Sequence, residues 1–323
     1  MNALVTGGTG FIGSHLVEYL TKSQYVNTKC LVRSSEKWLR GTNFERVSGS
    51  LSDLDVLKKA MKDVDILFHV AAIVKAPTWQ EFQRANVDAT EDLIRIAKRA
   101  GVKKIVILSS LAAVGPSSGN PVDETTPYHP VSMYGRSKME MEKRVMNLAD
   151  YTDSITIVRP PAVFGPREDQ IYSFFKAASK GICPIIGNGK QPPVSMIHVH
   201  DLVRGIWQAS QLKHTGVETF FISNDEIYTW NYIKDITAKA LDRKVVSLKI
   251  SPKLVHKIGS MAEQVGGLIG IYPVINSDKA KELTLEWTCS IKKAQKVLHF
   301  QPELSLYDGI LNTVRWYQQH HWI

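Results

Sequence analysis

Several things are missing from this sequence, and each absence narrows the field. No segment approaches the ~18 uninterrupted apolar residues of a membrane-spanning helix, so no integral membrane association is expected. Cysteine is scarce. Cys30, Cys183 and Cys289 are odd in number and lack ligand-like spacing, which argues against a disulfide framework and points to buried thiols in a reducing cytoplasm. The first residues already read as a strand, so no signal peptide is expected there. There is no internal repeat and no low-complexity linker. There is no basic block either: the net charge of +9 comes from Lys and Arg scattered mostly over helical faces. That pattern allows an anionic substrate but is not a nucleic-acid surface. What remains is 44% hydrophobic and 22% charged, the composition of a globular protein with a large core. At 323 residues the chain exceeds one ordinary domain and suits an α/β fold with a smaller appended lobe.

The organising stretch is Met1 to Gly13, M-N-A-L-V-T-G-G-T-G-F-I-G. Ala3-Leu4-Val5 reads as a buried strand, and a helical pattern begins at Ser14. Strand, glycine turn and helix together are the context of a dinucleotide fingerprint. Gly7 permits the tight turn, Gly10 lets backbone approach a pyrophosphate, and Gly13 lets the helix pack near the strand. The helix N-terminus then faces the phosphates with free N–H groups and the positive end of its dipole.

Apolar runs at Lys29 to Val32, Asp65 to Val70, Lys104 to Ser109 and Ser154 to Val158 alternate with helical stretches at Val87 to Ala100 and around Met139 to Leu148. That pattern predicts an α/β, Rossmann-type, doubly wound parallel sheet covered on both faces. The dinucleotide-binding domain is expected over residues 1–169, with segments near 194–210 returning to it. Residues 170–323 are expected to form mainly a smaller, mixed substrate-binding lobe over the carboxyl ends of the strands.

The end of the second strand selects the cofactor. It reads Cys30-Leu31-Val32-Arg33-Ser34-Ser35, with no acid at the tip to accept ribose hydroxyls. Arg33 offers a planar, permanently charged fork for a phosphate, with Ser34, Ser35 and Lys37 as helpers, so NADP is expected and NAD is the alternative. An ordinary solvated arginine is the bland explanation. Further on, Tyr134 and Lys138 stand four residues apart on one helical face. An ammonium beside a phenol lowers its pKa towards the range of a general acid or base. Tyr-x-x-x-Lys alone is common, but Ser109-Ser110 at a strand end supplies a hydroxyl that can hold a reacting oxygen beside the tyrosine.

Taken together these segments resemble the extended short-chain dehydrogenases/reductases, the superfamily of nucleotide-sugar epimerases, dihydroflavonol reductases and 3β-hydroxysteroid dehydrogenases. The resemblance covers essentially the whole chain. It rests on T-G-G-T-G-F-I-G at 6–13, H-V-A-A at 69–72, N-V-D-A-T at 86–90 and S-S-L-A-A-V-G-P at 109–116. It continues through Y-G-R-S-K at 134–138, R-P-P-A-V-F-G-P at 159–166 and I-H-V-H-D-L at 197–202. By that resemblance Tyr134 is the catalytic acid/base, Lys138 lowers its pKa and holds the nicotinamide ribose, and Ser110 orients the substrate oxygen. The cofactor would lie on Gly7, Thr9, Gly10, Phe11, Ile12 and Gly13. Ala71 and Ala72 would line its ribose and pyrophosphate, and Pro161, Ala162 and Val163 its nicotinamide, with Ser109 also in contact. Ser50 and Leu51 would meet the adenine, although Gly49-Ser50-Leu51 replaces the usual Gly-Asp-Leu/Ile and so supplies only part of that acid's hydrogen bonding.

Departures from the family pattern point to a branch. Dehydratases carry Asp-Glu where this chain has Leu111 and Ala112, which cannot move protons. Nucleotide-sugar epimerases usually have Asn at Ala162 and Arg at Val194, both of which hold a diphosphate; Arg167, Lys190 or Arg204 would have to substitute. The wording is closer to dihydroflavonol reductases and 3β-hydroxysteroid dehydrogenases, which implies a ketone/alcohol pair on a small apolar substrate. A 4-epimerase and a non-catalytic nucleotide sensor are the alternatives, and relatives commonly form homodimers through the helices holding the tyrosine. In the second lobe Leu254, Ile258, Met261, Val265 and Leu268 fall at helical spacing. Such a stripe is most often a core face; the other readings are a lid over an apolar substrate or a surface for membrane or an acyl carrier. His198 and His200 lack a third ligand nearby, so no metal is expected. Trp287, Trp316 and Trp322 are expected to cap the C-terminal packing.

Overall fold

The computed structural model describes residues 1–150, 154–269, 273 and 276–323, with the side chains of 265–269 set aside. Strand β1 (Asn2–Thr6) runs through the glycine turn into α1 (Phe11–Lys22), followed by β2 (Asn27–Val32) and β3 (Glu45–Ser48). Next come α2 (Leu54–Ala60), β4 (Ile66–His69), α3 (Trp79–Phe82), a π-helical stretch at Gln83–Asp88, and α4 (Ala89–Arg99). The alternation continues with β5 (Lys104–Leu108), the one-turn α5 (Leu111–Val114), the long α6 (Met133–Leu148) and β6 (Ser154–Arg159). Beyond it lie β7 (Ala162–Phe164), α7 (Tyr172–Ser179), β8 (Ile182–Ile186), β9 (Val194–His198), α8 (Val199–Gln211) and β10 (Gly216–Phe221). The remainder is β11 (Ile227–Tyr228), α9 (Trp230–Ala240), β12 (Val246–Ile250), α10 (Pro252–Ile269), α11 (Ser277–Thr284), α12 (Lys292–Leu298) and α13 (Leu306–Gln319).

Seven strands form one parallel sheet in the order β10-β6-β5-β4-β1-β2-β3. Its strands are apolar on both faces because both are covered. Ala3 and Val5 join one core with Leu16, Val17 and Leu20 of α1 and Leu202 and Ile206 of α8. Leu4 points the other way, into a core with Leu57 of α2, Leu93 and Ala97 of α4, and Met141 and Val145 of α6. The chain winds outward from β1 to β3 and then returns to place β4 on the other side of β1. That reversal opens a crevice at the carboxyl ends of β1 and β4, the position where such sheets bind ligands.

Three details differ from the sequence-based expectation. Strand β3 was not anticipated, because Glu45, Arg46 and Ser48 are exposed and only Val47 packs inward. Helix α6 joins the Tyr134–Lys138 turn and the stretch around Met139 to Leu148 into one element starting at Met133, since the Ser132 hydroxyl accepts from the Gly135 N–H and caps it. The strand that returns to complete the sheet is Gly216–Phe221, past the 194–210 stretch expected to do so. Of that stretch, α8 does pack on the sheet, whereas Val194–His198 pairs with β7 and β11 instead.

The second lobe holds the three-stranded β11-β9-β7 sheet and the two-stranded β12-β8 sheet around Phe164, Phe174, Phe175, Ile233 and Tyr317. Trp316 and Trp322 pack on each other, Trp322 stacks on Tyr317, and both tryptophans reach Trp38 in the turn after β2, tying the two ends of the chain together. Helix α10 departs from the core-face reading. It buries Val255 and Gly259 and leaves Leu254, Ile258 and Met261 exposed, because α11 packs on the side that carries Gly259. Val265 and Leu268 of that stripe lie outside the residues whose side chains are described.

Candidate active site

The glycine turn is compact to the point of excluding side chains. Gly7 has φ +75°, and a Cβ there would stand 2.5 Å from the backbone N of Ala71, just past β4. A Cβ on Gly13 would fall 2.1 Å from the Gly7 carbonyl oxygen. Gly10 caps α1 from an extended conformation, and no side chain occupies the N–H groups of the first turn, which holds no acid. Thr9, Phe11 and Ile12 are partly accessible around it, as is Ala71, while Ala72 is exposed. A backbone cradle with free N–H groups at a helix N-terminus, opened at the switch point of the sheet, fits a dinucleotide pyrophosphate.

The chemical residues meet at the next strand ends. Ser110 leaves β5 and caps α5, its hydroxyl accepting from the Ala112 N–H at 3.1 Å. Helix α6 reaches α5 closely because residue 135 is glycine: a Cβ there would lie 2.4 Å from the Ala112 carbonyl oxygen. That contact brings Tyr134 to Ser110. Burial pushes the Tyr134 phenol up to about 12, a hydrogen bond from Ser110 pulls it down, and the Glu282 carboxylate adds to the rise. Lys138 lies one turn on, 2% exposed, with its ammonium donating to the Leu108 carbonyl at 2.8 Å. Burial pushes Lys138 down to about 8, against the pull of the Glu142 carboxylate. In the protein alone desolvation dominates the phenol, and Ser110 is the group that lowers it. Ser109 is buried, and its hydroxyl has no hydrogen-bond partner among the described residues. Pro161 is buried, and Ala162 and Val163 are partly so at the next strand.

Sequence reasoning missed the groups that hold these residues in place. Asn86, in the π-helical stretch, accepts from the Ile73 N–H at 2.9 Å and donates to the Ile73 carbonyl and to the Ser137 hydroxyl, each at 2.9 Å. It pins the loop after β4 to the helix of Tyr134. His69 bridges Thr6 and Thr90 through its two ring nitrogens at 2.7 and 2.8 Å. Burial holds it neutral, with its pKa down to about 3. Glu142, one turn beyond Lys138, is fully buried and takes the Arg159 Nε at 3.0 Å and the Tyr128 hydroxyl at 2.7 Å. The spacing Tyr134, Lys138, Glu142 on one helical face was the available signal.

Around the cofactor selector, Arg33 is exposed and has no hydrogen-bond or ion-pair partner among the described residues. Arg46 of β3 instead binds the Ser34 carbonyl at 3.0 Å and Glu36 at 3.2 Å. Ser50, the departure at the adenine position, bonds the Asp53 carboxylate through its N–H at 2.8 Å and its hydroxyl at 2.9 Å, so an acid does stand beside it, three residues on. Two arginines that could have replaced the missing diphosphate ligands are committed elsewhere. Arg167 bonds Ser14 at 3.0 Å and Glu18 at 2.9 Å, and Arg204 bonds Asp201 at 2.9 Å and Glu303 at 3.2 Å. Val194 is 6% exposed within the second lobe's core. His200 does meet a third histidine, His15, at a ring contact of 5.3 Å, and it packs on His198 at 4.7 Å. His198 Nδ1 accepts from the His200 N–H and His15 Nε2 lies 2.9 Å from the Pro166 carbonyl, and among the described residues no three such side chains are placed to hold a metal.

A glycine cradle at the switch point, followed by Ser, Tyr and Lys on adjoining strand and helix ends, defines a nicotinamide-dinucleotide enzyme of the extended short-chain type. The chain belongs to the NAD dependent epimerase/dehydratase family, which matches residues 3–222. It is similar to a ceramide reductase from Caulobacter vibrioides, 28% identical over 99% of this chain and 95% of that one. It is also similar to the decarboxylating sterol-4-alpha-carboxylate 3-dehydrogenase of Bos taurus, 29% identical over 98% of this chain and 92% of that one. The UDP-glucose 4-epimerase of Thermotoga maritima, solved with UDP-glucose, shares the fold at a TM-score of 0.81 and 23% identity, over 99% of this chain and all of that one. The protein is thus an NAD(P)-dependent oxidoreductase of this family.

Proposed function

We propose that the protein is an NADP-dependent reductase that interconverts a ketone and a secondary alcohol on an apolar steroid-, flavonoid- or acyl-like substrate. The observation that carries this reading concerns the positions from which a diphosphate would be held. Val194 is sealed into a hydrophobic core, and Arg167 and Arg204 are already paired with carboxylates. The charge acting on the phenol is the Glu282 carboxylate, paired with Lys279 at 3.2 Å, and no cation is among the groups acting on it. Relatives named for ceramide and sterol chemistry point the same way.

When bound, the nicotinamide cofactor supplies the hydride to the carbonyl carbon and takes it back in the reverse direction. The chain supplies the proton and the field. Tyr134 Oη donates its proton to the substrate oxygen as negative charge gathers there; its high pKa keeps that proton in place until the oxygen needs it. Ser110, fixed in its cap position, turns its single hydroxyl proton from Tyr134 to the same oxygen, a charge-stabilising contact. Lys138 has two donors left beyond Leu108 for the ribose hydroxyls, and its positive charge favours the phenolate that Tyr134 becomes. Gly7, Thr9, Gly10, Phe11, Ile12 and Gly13 would hold the pyrophosphate, Ala71 and Ala72 would flank it, and the buried Ser109 hydroxyl, which has no partner among the described residues, would be left for a cofactor contact. Arg33 holds the adenosine phosphate.

The test is Tyr134→Phe, which should cost about 10²–10⁴ in turnover while NADPH still binds in a fluorescence titration. Near-normal rates would overturn the mechanism. Net NADPH consumption with apolar ketones supports the reductase, and cofactor-neutral interconversion of UDP-glucose and UDP-galactose would replace it with a 4-epimerase. Arg33→Ser should weaken NADPH and leave NADH unchanged; an equal effect on both removes the NADP assignment.

A further inference from the structure

The scattering of Lys and Arg along the chain has one exception. From Arg243 to Ala262 there is no Asp or Glu, and five cations fall in that run: Arg243, Lys244, Lys249, Lys253 and Lys257. The four lysines are exposed, and among the described residues none of them has an ion-pair partner. Interleaved with them are large apolar side chains turned to solvent. Val246 and Leu248 stand on β12, opposite Ile182 and Pro184 of β8, and Leu254, Ile258 and Met261 follow on α10; the five from Val246 to Met261, with Ile182, are between 44% and 70% exposed. Positions 254, 258 and 261 fall within one narrow sector of the helix, and positions 253 and 257 border it on the side away from Val255 and Gly259. A helix with a bare apolar stripe flanked by lysines has the pattern of one that lies in a membrane interface.

We propose that this surface, β12 and the first turns of α10, docks the protein peripherally on an anionic lipid bilayer. Charge selects the occupant. A second copy of the chain would bring this acid-free basic run onto itself across a two-fold axis, lysine against lysine. Anionic headgroups neutralise Lys253 and Lys257 beside the stripe, with Lys244 and Lys249 adding to the positive field, while the acyl boundary takes the apolar side chains. The surface stands one helix away from the reaction centre. Gly259 lets α10 approach α11, where a Cβ would come 2.8 Å from the Asn276 carbonyl oxygen. Helix α11 in turn places the Asp278 carboxylate on the Met133 N–H at 2.9 Å, and Glu282 acts on Tyr134. Docking through α10 therefore brings the bilayer near the helix that borders Tyr134. The proposal depends on the surface alone and holds whichever substrate the site takes.

The test is flotation of the full-length protein with vesicles of phosphatidylglycerol and phosphatidylcholine, against phosphatidylcholine alone. Binding is expected to the anionic vesicles only and to weaken steeply with added salt. Replacing Lys249, Lys253 and Lys257 by Glu should lower vesicle affinity about a hundredfold, and Leu254→Ser with Ile258→Ser about tenfold or more. Both variants should retain the parent's turnover of a water-soluble ketone and its thermal midpoint, which separates lost docking from lost folding. Equal binding to both vesicle types, no binding to either, or unchanged binding by the lysine variant would overturn the proposal. Retention on an acidic acyl carrier protein without vesicle binding would overturn it in favour of a protein partner.

Discussion

The sheet domain and the α10 region of the second lobe treat polar and apolar groups in opposite ways. In the sheet domain charge is taken inside and paired. Glu142 and Arg159 are 0% and 3% exposed and bound to each other and to Tyr128, and His69 is spanned by two threonines. Around α10, apolar side chains are left outside, and the lysines have no ion-pair partner among the described residues. A catalytic set needs positions fixed to a fraction of an ångström, which buried and satisfied networks provide. A surface that meets something outside the molecule must leave its energy unspent until contact. On the functions proposed, the difference is a division of labour within one chain: chemistry on the rigid side, contact on the open side.

The strongest way to test that contrast is to remove one member of the buried network. Glu142→Ala leaves Arg159 charged and unpaired, with one guanidinium nitrogen already lacking a partner, and should cost about 3–5 kcal/mol of stability in urea unfolding. The matching change at the half-exposed Glu218–Lys293 pair, Glu218→Ala, should cost less than about 1 kcal/mol. Next in size is a pair of apolar truncations. Leu16→Ala in α1, fully buried, should lose about 2–5 kcal/mol, whereas Ile258→Ala on α10 should stay within about 0.5 kcal/mol. Equal losses would mean that the α10 stripe is packed in solution.

Acid sharpens the same comparison. Burial holds His15, His69 and His198 down to about 3 in the folded protein, against 6.5 for a free histidine. Above pH ~6.5 they are neutral in both states and contribute nothing; as pH falls towards ~3 the unfolded chain takes protons that the folded one refuses, so stability drops. Replacing His69 by Gln should reduce that slope by one proton, about 1.4 kcal/mol per pH unit, in unfolding midpoints measured across the window. The smallest effect is on rate. With Lys138 near 8, kcat/KM for ketone reduction should be flat below that pH and fall by half at about pH 8 as the ammonium is lost. A profile flat through pH 10 would remove Lys138 from the reaction.

Much of this was legible in the residues themselves. The glycine turn, the parallel sheet and the grouping of Ser110, Tyr134 and Lys138 follow from strand and helix periods and from motifs whose spacing carries their geometry. What escaped was set by tertiary contact. Asn86 joins residues 73 and 137, and no local pattern reports such a link. The direction of the Tyr134 shift depends on burial, which the i,i+4 spacing does not reveal. The α10 stripe misled because periodicity marks an apolar face without saying whether protein covers it; the small residue at Gly259 decides which side α11 takes. Strand β3 was hidden by its own exposure, with a single inward residue at Val47.

The late arrival of β10 has a consequence for how the chain is made. Strand β6 is complete at residue 159, but its outer partner is Gly216–Phe221, so an elongating chain carries an unpaired sheet edge through the synthesis of the residues between. Phe220, Phe221 and Ile222, all 0% exposed in the finished protein, close that edge and the core beneath it in one step. A ribosome-bound intermediate short of them presents open backbone hydrogen bonds beside apolar side chains, the combination that recruits neighbouring chains. Truncations anywhere between 160 and 222 should therefore accumulate as aggregates or chaperone clients rather than as a free nucleotide-binding domain, and the protein's earliest vulnerability is set by the order in which its strands are spoken.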